Sequence, residues 1–457
     1  MLARNGFHAP LLAIALAGAL LAPGRASAQA PPIELPPRNF VLPNYDSIPI
    51  GSTGSLEGGA FLARADDDSS NWFNPAGLSR ASTSSVSSAA GAYELLTLDA
   101  NALPEKGSDT QQVPAQLGVL VASPFGGERA NASLLLVRTR SFEQVTEAQV
   151  DAITNGQGDL FSYTADSTFS QTEGSFGMSY KANGAWRLGA AISGVYTYLS
   201  AIQSASRRAV TPDGLSSGQV AGRLTGTLGQ GRLTLGTQYD LTSEIRLGAV
   251  LRTPGVTVIR NGSSNVDGLY QSGAASASYT FFDSNLRFDY KLPWELAVGA
   301  AYAAPKFEVE LDVKGYSAIS AFDLFRTTQS AIVITDDGSG SPVVAQRPVA
   351  NVVSASKAIV NVAVGGHLVL SDNRVWKLHF GANTDFSPVA SDDTFFDRVN
   401  LYALTVGLSG ETRHIVGSLG VQYSFGSATV PLASGEPSQT KLDVHSLGIL
   451  YSLGYRF

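Results

Sequence analysis

From Ser84 to Phe457 the chain reads as stretches of alternating apolar and polar residues, joined by links that are short and long in turn. A period of two marks a strand with two unlike faces. Such stretches run near 84–98, 115–124, 130–140, 168–181, 185–203, 231–240, 245–253, 294–304, 306–317, 355–371, 375–386, 400–410, 413–426 and 444–457. The short links carry tight-turn residues, as in Ala182-Asn183-Gly184, Ser371-Asp372-Asn373-Arg374 and Gly410-Glu411-Thr412. The long links fall near 99–114, 141–167, 204–230, 254–293, 318–354, 387–399 and 427–443. A soluble sandwich has no reason to gather every long loop at one end. A bacterial outer-membrane barrel does, with short periplasmic turns, long outer loops and an even strand number. The expected fold is all-β, a transmembrane antiparallel barrel of about fourteen strands. Ser141–Asn155 reads as a short loop helix, with Ser141 and Gln144 as a capping box.

Face assignments follow the same logic. Trp376, Leu378 and Phe380 would face lipid, with Lys377, His379 and Gly381 toward the lumen. Tyr402, Leu404, Val406 and Leu408 oppose Ala403, Thr405 and Gly407. The last strand sets His445, Leu447, Ile449, Tyr451, Leu453, Tyr455 and Phe457 against Ser446, Gly448, Ser452 and Gly454. Rings near strand ends suit an interfacial girdle.

Composition narrows the class. Arg4, the apolar run Leu11–Ala22 and Ala26-Ser27-Ala28 form a secretory leader, residues 1–28, with the mature start expected at Gln29. Net charge is −7, and losing Arg4 and Arg25 leaves 29 basic residues against 38 acidic ones. An acidic chain is a poor partner for nucleic acid. With no cysteine, disulfide scaffolds, zinc-thiolate sites and Cys nucleophiles are excluded. Charged residues make up only 15%, against about 25% in ordinary soluble proteins. No later run is apolar for the length that a membrane helix needs.

Before the barrel (84–457) stand two further segments. Residues 29–50 are Pro-rich and expected to be extended. Residues 51–83 are rich in Gly and Ala and are expected to fold into the lumen as a plug.

Here the chain resembles the FadL/TodX family of outer-membrane transporters for long-chain fatty acids and hydrocarbons. The resemblance lies in Gly58-Gly59-Ala60-Phe61-Leu62-Ala63-Arg64-Ala65-Asp66-Asp67-Asp68 and Asn74-Pro75-Ala76-Gly77-Leu78. Leu292-Pro293-Trp294-Glu295, Asp385-Phe386-Ser387-Pro388-Val389 and the terminal Tyr455-Arg456-Phe457 extend it, so it covers Gly51 to Phe457. It implies a plug whose Asn74, Pro75 and Ala76 serve in gating, beside a side exit opened by a distorted third strand. The third strand here, Ala130–Arg140, contains no Gly or Pro to mark that distortion.

A carrier of hydrophobic solutes needs a greasy capture surface, a greasy internal pocket and a movable stopper. Ile319, Phe322, Leu324 and Phe325 form an apolar cluster in an expected outer loop. They read either as a capture surface or as rings closing the barrel mouth. Phe281, Phe282 and Phe288 read as rings covering the mouth or extending a strand. A fatty-acid carboxylate would seek a cation, and Arg138, Arg140 and Lys377 stand on predicted strands, as do Arg252 and His379. The alternative for each is an ion pair with acids such as Asp66–Asp68.

The expected function is passive uptake of hydrophobic compounds across the outer membrane, long-chain fatty acids first, by loop capture, lumen binding and plug-gated release. The expected partners are the solute, outer-membrane lipid and the barrel-assembly machinery. A general porin is the runner-up. An enzyme barrel ranks lower, because a hydrolase needs serine, histidine and an acid or amide. Past the leader the histidines are His367, His379, His414 and His445, and His379 has no evident serine partner. No catalytic residue, cofactor or metal site is expected.

Overall fold

The computed structural model describes residues 40–41, 43–100, 107–126, 129–154, 157–211, 214–371, 375–390, 395–431 and 439–457. The leader and most of the Pro-rich segment lie outside the described residues.

Fourteen antiparallel strands close a barrel. They are β1 (Ser85–Ala100), β2 (Gly107–Ala122), β3 (Ala130–Thr154), β4 (Gln157–Lys181), β5 (Trp186–Thr211) and β6 (Gly214–Asp240). Next come β7 (Ile245–Arg252, then Val256–Ser272) and β8 (Ala275–Asp283, then Glu295–Ala303). The last six are β9 (Phe307–Tyr316), β10 (Ile359–Val369), β11 (Trp376–Asp385), β12 (Asn400–Glu411), β13 (Ile415–Pro431) and β14 (Gln439–Arg456). β1 pairs with β14 from Ser85↔Arg456 to Ala100↔Leu442, so the sheet has no free edge.

The expected faces hold. Trp376, Phe380, Tyr402, Leu404, Val406, Leu408, Leu447, Ile449 and Tyr451 are exposed on the outer wall, while His379, Ala403, Thr405, Ser446 and Ser452 are buried. Outward rings gather at the short-turn rim, where Trp186 meets Tyr239, Tyr302 meets Phe307 and Tyr455 meets Phe457. Among the described residues no helix is long and apolar enough to cross a membrane.

Two expectations about the links are corrected. Residues 141–154 are strand, not helix: β3 pairs with β4 from Ala130↔Tyr180 without leaving the sheet until Thr154↔Gln157. Phe142 enters the interior core and Glu143 and Val145 turn outward, so the segment keeps a period of two. Most of 204–230 is likewise the upper part of β5 and β6. The outer faces of these strands mix Glu143, Ser162, Thr164 and Ser204 with Val145, Leu160 and Ile202, which hid the period. β3 to β6 therefore reach 25–27 residues, about 80 Å of strand, where a crossing needs about ten. The 318–354 link also carries structure: Ile319–Arg326, the hairpin Ser330–Asp336/Val343–Pro348, and Val352–Ser356. Ile319–Arg326 is the centre of a three-stranded sheet with Arg287–Phe288 and Val352–Ser356.

The third strand has its distortion at Thr139. Register shifts there, between Arg138↔Thr172 and Arg140↔Gln171. Before the shift, even-numbered Leu134 and Leu136 point outward; after it Arg140 and Phe142 point inward. One extra residue in a strand reverses every later side chain. The described β2–β3 pairing also stops nearby, at Gln116↔Val137.

Residues 43–81 run along the inner wall, with two short helices, α1 (Thr53–Leu56) and α2 (Ser70–Phe73), and a 3-10 turn at Pro75–Arg80. The wall admits them through glycines that face each other across neighbouring strands. These pairs are Gly189↔Gly236, Gly248↔Gly299, Gly365↔Gly381 and Gly407↔Gly420. A Cβ on Gly236 would lie 2.2 Å from Asn74 Oδ1, and one on Gly189 would lie 2.2 Å from Ala76 N. On Gly365 it would lie 2.0 Å from the Glu57 carbonyl oxygen, and on Gly420 2.4 Å from Leu56 Cδ2. Valine at Gly236 is compatible with the strand and incompatible with the segment, an overpacking cost of about 1–3 kcal/mol. Gly236→Val should leave heat-modifiable barrel migration intact and expose residues 70–80 to protease. Gly194→Val, which faces open space, should do neither.

Candidate functional site

The lower interior is polar and holds the N-terminal segment by buried charge. Arg64 lies between Glu57 and Glu310, with Nε 2.8 Å from Glu310 Oε2 and a terminal nitrogen on Glu57 Oε2. Glu308 is 3.6 Å from the same guanidinium. Asp312 Oδ2 accepts from the backbone N–H of Phe61 (2.8 Å) and Leu62 (3.1 Å), and Glu310 Oε1 accepts from Ala63 N–H (2.5 Å). Asp46 accepts from Lys314 (2.8 Å), Asn361 (2.8 Å) and Tyr316 (3.1 Å). Arg252 joins Glu295 to the Trp72 carbonyl and lies 4.4 Å from the Trp72 ring centre. Burial alone would raise the Glu57 pKa, but Arg64 and the flanking His367 and His379 outweigh it and hold the carboxyl well below its usual range.

Asn74, Pro75 and Ala76 open the 3-10 turn. Asn74 Oδ1 accepts from Ala76 N–H at 3.2 Å, and Pro75 takes the first position, where no N–H is needed. The Asn74 amide donates to the carbonyls of Leu62 (3.0 Å) and Thr237 (2.9 Å), tying the turn to β6.

Above this lies an apolar interior built by Phe142, Phe169, Leu199, Leu224, Leu228, Phe281, Phe288, Phe325 and Phe395 among others. It holds the cluster predicted for an outer loop. Leu324 and Phe325 are fully buried, Phe325 stacks on Phe288 at 4.8 Å, and Ile319 and Phe322 are half-buried. The cluster is thus not an exposed loop patch; burial against the wall outcompetes solvent exposure for rings of this size.

The three predicted carboxylate contacts separate. Arg138, before the bulge, follows the outward-facing set and is half-buried. Lys377 is at the short-turn end, in an open cleft of about 490 Å³ with Glu308, His367, Glu411 and Arg413. Arg140, after the bulge, is buried where the apolar interior meets the N-terminal segment. Its Nε donates to the Pro43 carbonyl at 2.8 Å and it donates to the Tyr290 hydroxyl at 2.5 Å. The rings of Tyr45, Phe169 and Tyr290 surround it at 4.8–5.7 Å.

One cluster escaped the sequence. Glu57 Oε1 is 3.0 Å from His367 Nδ1 and 2.7 Å from His379 Nδ1. His379 Nε2 is 2.7 Å from Ser409 Oγ, so this histidine does have a serine partner. Ser409 is in mid-strand, paired with Lys377 and Ser418, and its backbone is committed to the sheet. It lacks the free N–H that an oxyanion site requires. The one legible signal was that His367 and His379 share inward parity on neighbouring strands; Glu57, 310 residues away from His367, could not be placed.

No family model and no curated protein matches the sequence. Solved structures do match. The Pseudomonas putida toluene transporter TodX aligns at TM-score 0.59 and 15% identity, over 92% of this chain and 100% of that one. A Pseudomonas aeruginosa FadL homologue aligns at 0.59 and 14%, over 92% and 99%. The Ralstonia pickettii toluene transporter TbuX aligns at 0.53 and 14%, over 89% and 98%.

Two outcomes test the anchoring. Arg64→Met leaves buried carboxylates unpaired, at a cost of about 3–5 kcal/mol. Faster amide exchange across residues 53–66, at unchanged barrel migration, should report it. Burial and the charges of Asp68 and Asp66 push Asp67 up to about 7. A raised carboxyl binds more protons folded than unfolded, so stability falls as pH rises from about 4 to about 7. Glu57 acts oppositely: its contribution is present above its unfolded value and is lost only in acid. Protection of residues 67–73, corrected for intrinsic exchange, should therefore decline over that window in wild type and decline less steeply in Asp67→Asn, where Asp66 and Asp68 remain as raised carboxyls.

Proposed function

We propose that this chain, which shares the fold of the FadL/TodX-type channels, is an outer-membrane channel for passive uptake of hydrophobic compounds, long-chain fatty acids first. The observation that carries the reading is a closed barrel whose apolar interior rests directly on a segment pinned by buried charge. An oily solute leaving the outer leaflet would meet an apolar, ring-lined interior, and beneath it a stopper. The neighbours named for toluene transport and for FadL support this class of solute. A general porin needs a water-filled lumen, which the interior rings and the inner segment oppose. The reading is of a carrier channel, not an enzyme, exported with a cleaved leader and surrounded by outer-membrane lipid after insertion by the barrel-assembly machinery.

In this reading residues 51–83 are the plug and Asn74-Pro75-Ala76 its gating motif. Ile319, Phe322, Leu324 and Phe325 pass solute inward from the rim, and the Thr139 bulge marks the side exit, between β2 and β3. Arg140 takes the carboxylate of a fatty acid. It is the one predicted contact that touches both the apolar interior and the N-terminal segment just ahead of the plug, and a carboxylate would replace the Pro43 carbonyl on its guanidinium. Lys377 belongs to the lower mouth and serves there only as a transient contact.

The test is uptake of labelled oleate and toluene by cells lacking their own transporter. The assembled barrel should restore both. Arg140→Gln should cut oleate uptake about tenfold, the scale of a lost charge-assisted contact of about 1.5 kcal/mol, and leave toluene flux within about twofold. No rescue by a correctly inserted barrel would falsify the reading. Equal loss of both solutes would reduce Arg140 to a structural role.

A further inference from the structure

We infer that Glu57, His367 and His379 form a binding site for a divalent transition-metal ion of the zinc or copper type, which cross-links the N-terminal segment to the barrel wall. This goes beyond transport and stands whether or not that reading holds.

His367 and His379 are direct cross-strand partners on β10 and β11, and both face the lumen. Directly opposed residues on one face bring side chains within reach of one ligand. Their ring centres lie 5.3 Å apart. Both Nδ1 atoms converge on one oxygen, Glu57 Oε1, at 3.0 and 2.7 Å. The three donor atoms all lie within 4.8 Å of one another, and all three residues are buried. Two imidazoles and a carboxylate, with a fourth position open, is a set that suits Zn²⁺ and Cu²⁺ and suits Mg²⁺ or Ca²⁺ poorly. In the metal-bound form the ion takes the place of the protons now shared between Oε1 and the two nitrogens. Small side-chain shifts would open those contacts to ligand–ligand spacing.

The surroundings favour a cation. Glu57, Glu310 and Glu308 share a single guanidinium, that of Arg64. Arg64 engages Glu57 through Oε2, which leaves Oε1 to the histidines. With Nδ1 on the ion, His379 Nε2 carries the ring proton and donates it to Ser409 Oγ, 2.7 Å away, which orients the ring. His367 lines the open cleft of about 490 Å³ at the short-turn end, which supplies an entry path. Lys377 and Arg413 also line it, opposed by Glu308 and Glu411.

The test uses the folded full chain in detergent, stripped with chelator and titrated with Zn²⁺ by calorimetry and with Cu²⁺ by electron paramagnetic resonance. The expected result is one Zn²⁺ per chain and a Cu²⁺ spectrum split by two nitrogens. His367→Asn and His379→Asn should each weaken binding at least tenfold, while His414→Asn and His445→Asn, which alter exposed rings, should not. Zn²⁺ should also slow amide exchange across residues 53–65 in wild type but not in His367→Asn. Heat-modifiable migration checks that each variant is folded; should His379→Asn fail that check, Glu57→Gln takes its place. A folded wild-type barrel that takes up neither metal, or uptake indifferent to both histidine changes, would overturn the proposal.

Discussion

Buried charge on the wall cannot stand alone. Glu310 and Asp312 project from β9 into the lower lumen with almost no exposure. A lone carboxylate there would cost several kcal/mol. What makes them tolerable is the N-terminal segment, which brings the Arg64 guanidinium and the N–H groups of Phe61, Leu62 and Ala63 to their oxygens. The dependence runs both ways, because those N–H groups are not paired in any helix or strand of the segment. Segment and wall are therefore one folded unit at this level. Any motion that opens a path must leave this contact set in place and move something weaker.

Weaker contacts stand at the start of the Pro75–Arg80 turn, whose last residue, Arg80, is again ion-paired to the wall at Asp240. Asn74 binds only neutral carbonyls, and Pro75 and Ala76 rest on the bare backbone of Gly189 and Gly236. Neutral hydrogen bonds contribute about 1 kcal/mol each, well below the cost of separating Arg64 from two carboxylates. The segment is thus held against the wall with unequal strength along its length. The glycine pairs make this seating possible, since a methyl group at any of them would occupy space the segment already fills.

Much of this was legible. The final four strands show their faces plainly because apolar and polar residues alternate without interruption, and the inward parity of Gly381, Gly407 and Gly420 is written there too. The Asn74-Pro75-Ala76 turn follows from amide capping chemistry and the fixed backbone of proline. Other parts were hidden for physical reasons. The upper halves of β3 to β6 mix polar and apolar residues on their outer faces, so no clean hydrophobic period announces them. Leu324 and Phe325 read as a loop patch because composition does not say which way a loop folds. The ionic network joins Glu57 and Arg64 to residues some 250 to 320 positions away, and a sequence without tertiary contacts has no means of pairing them.

The bulge at Thr139 is the most consequential of the hidden features. Arg138 and Arg140 are two residues apart, and an unbroken strand would place both on the same face. One added residue sends Arg138 toward the outside and Arg140 into the core, beneath Phe169 and Tyr290. A buried arginine is costly unless its donors are met, and here a backbone carbonyl from the N-terminal segment meets them. The same distortion coincides with the end of the described β2–β3 pairing. A single irregularity, beside the end of the described β2–β3 pairing, thus sets the aim of an interior cation and its contact with the N-terminal segment. A regular strand would supply neither.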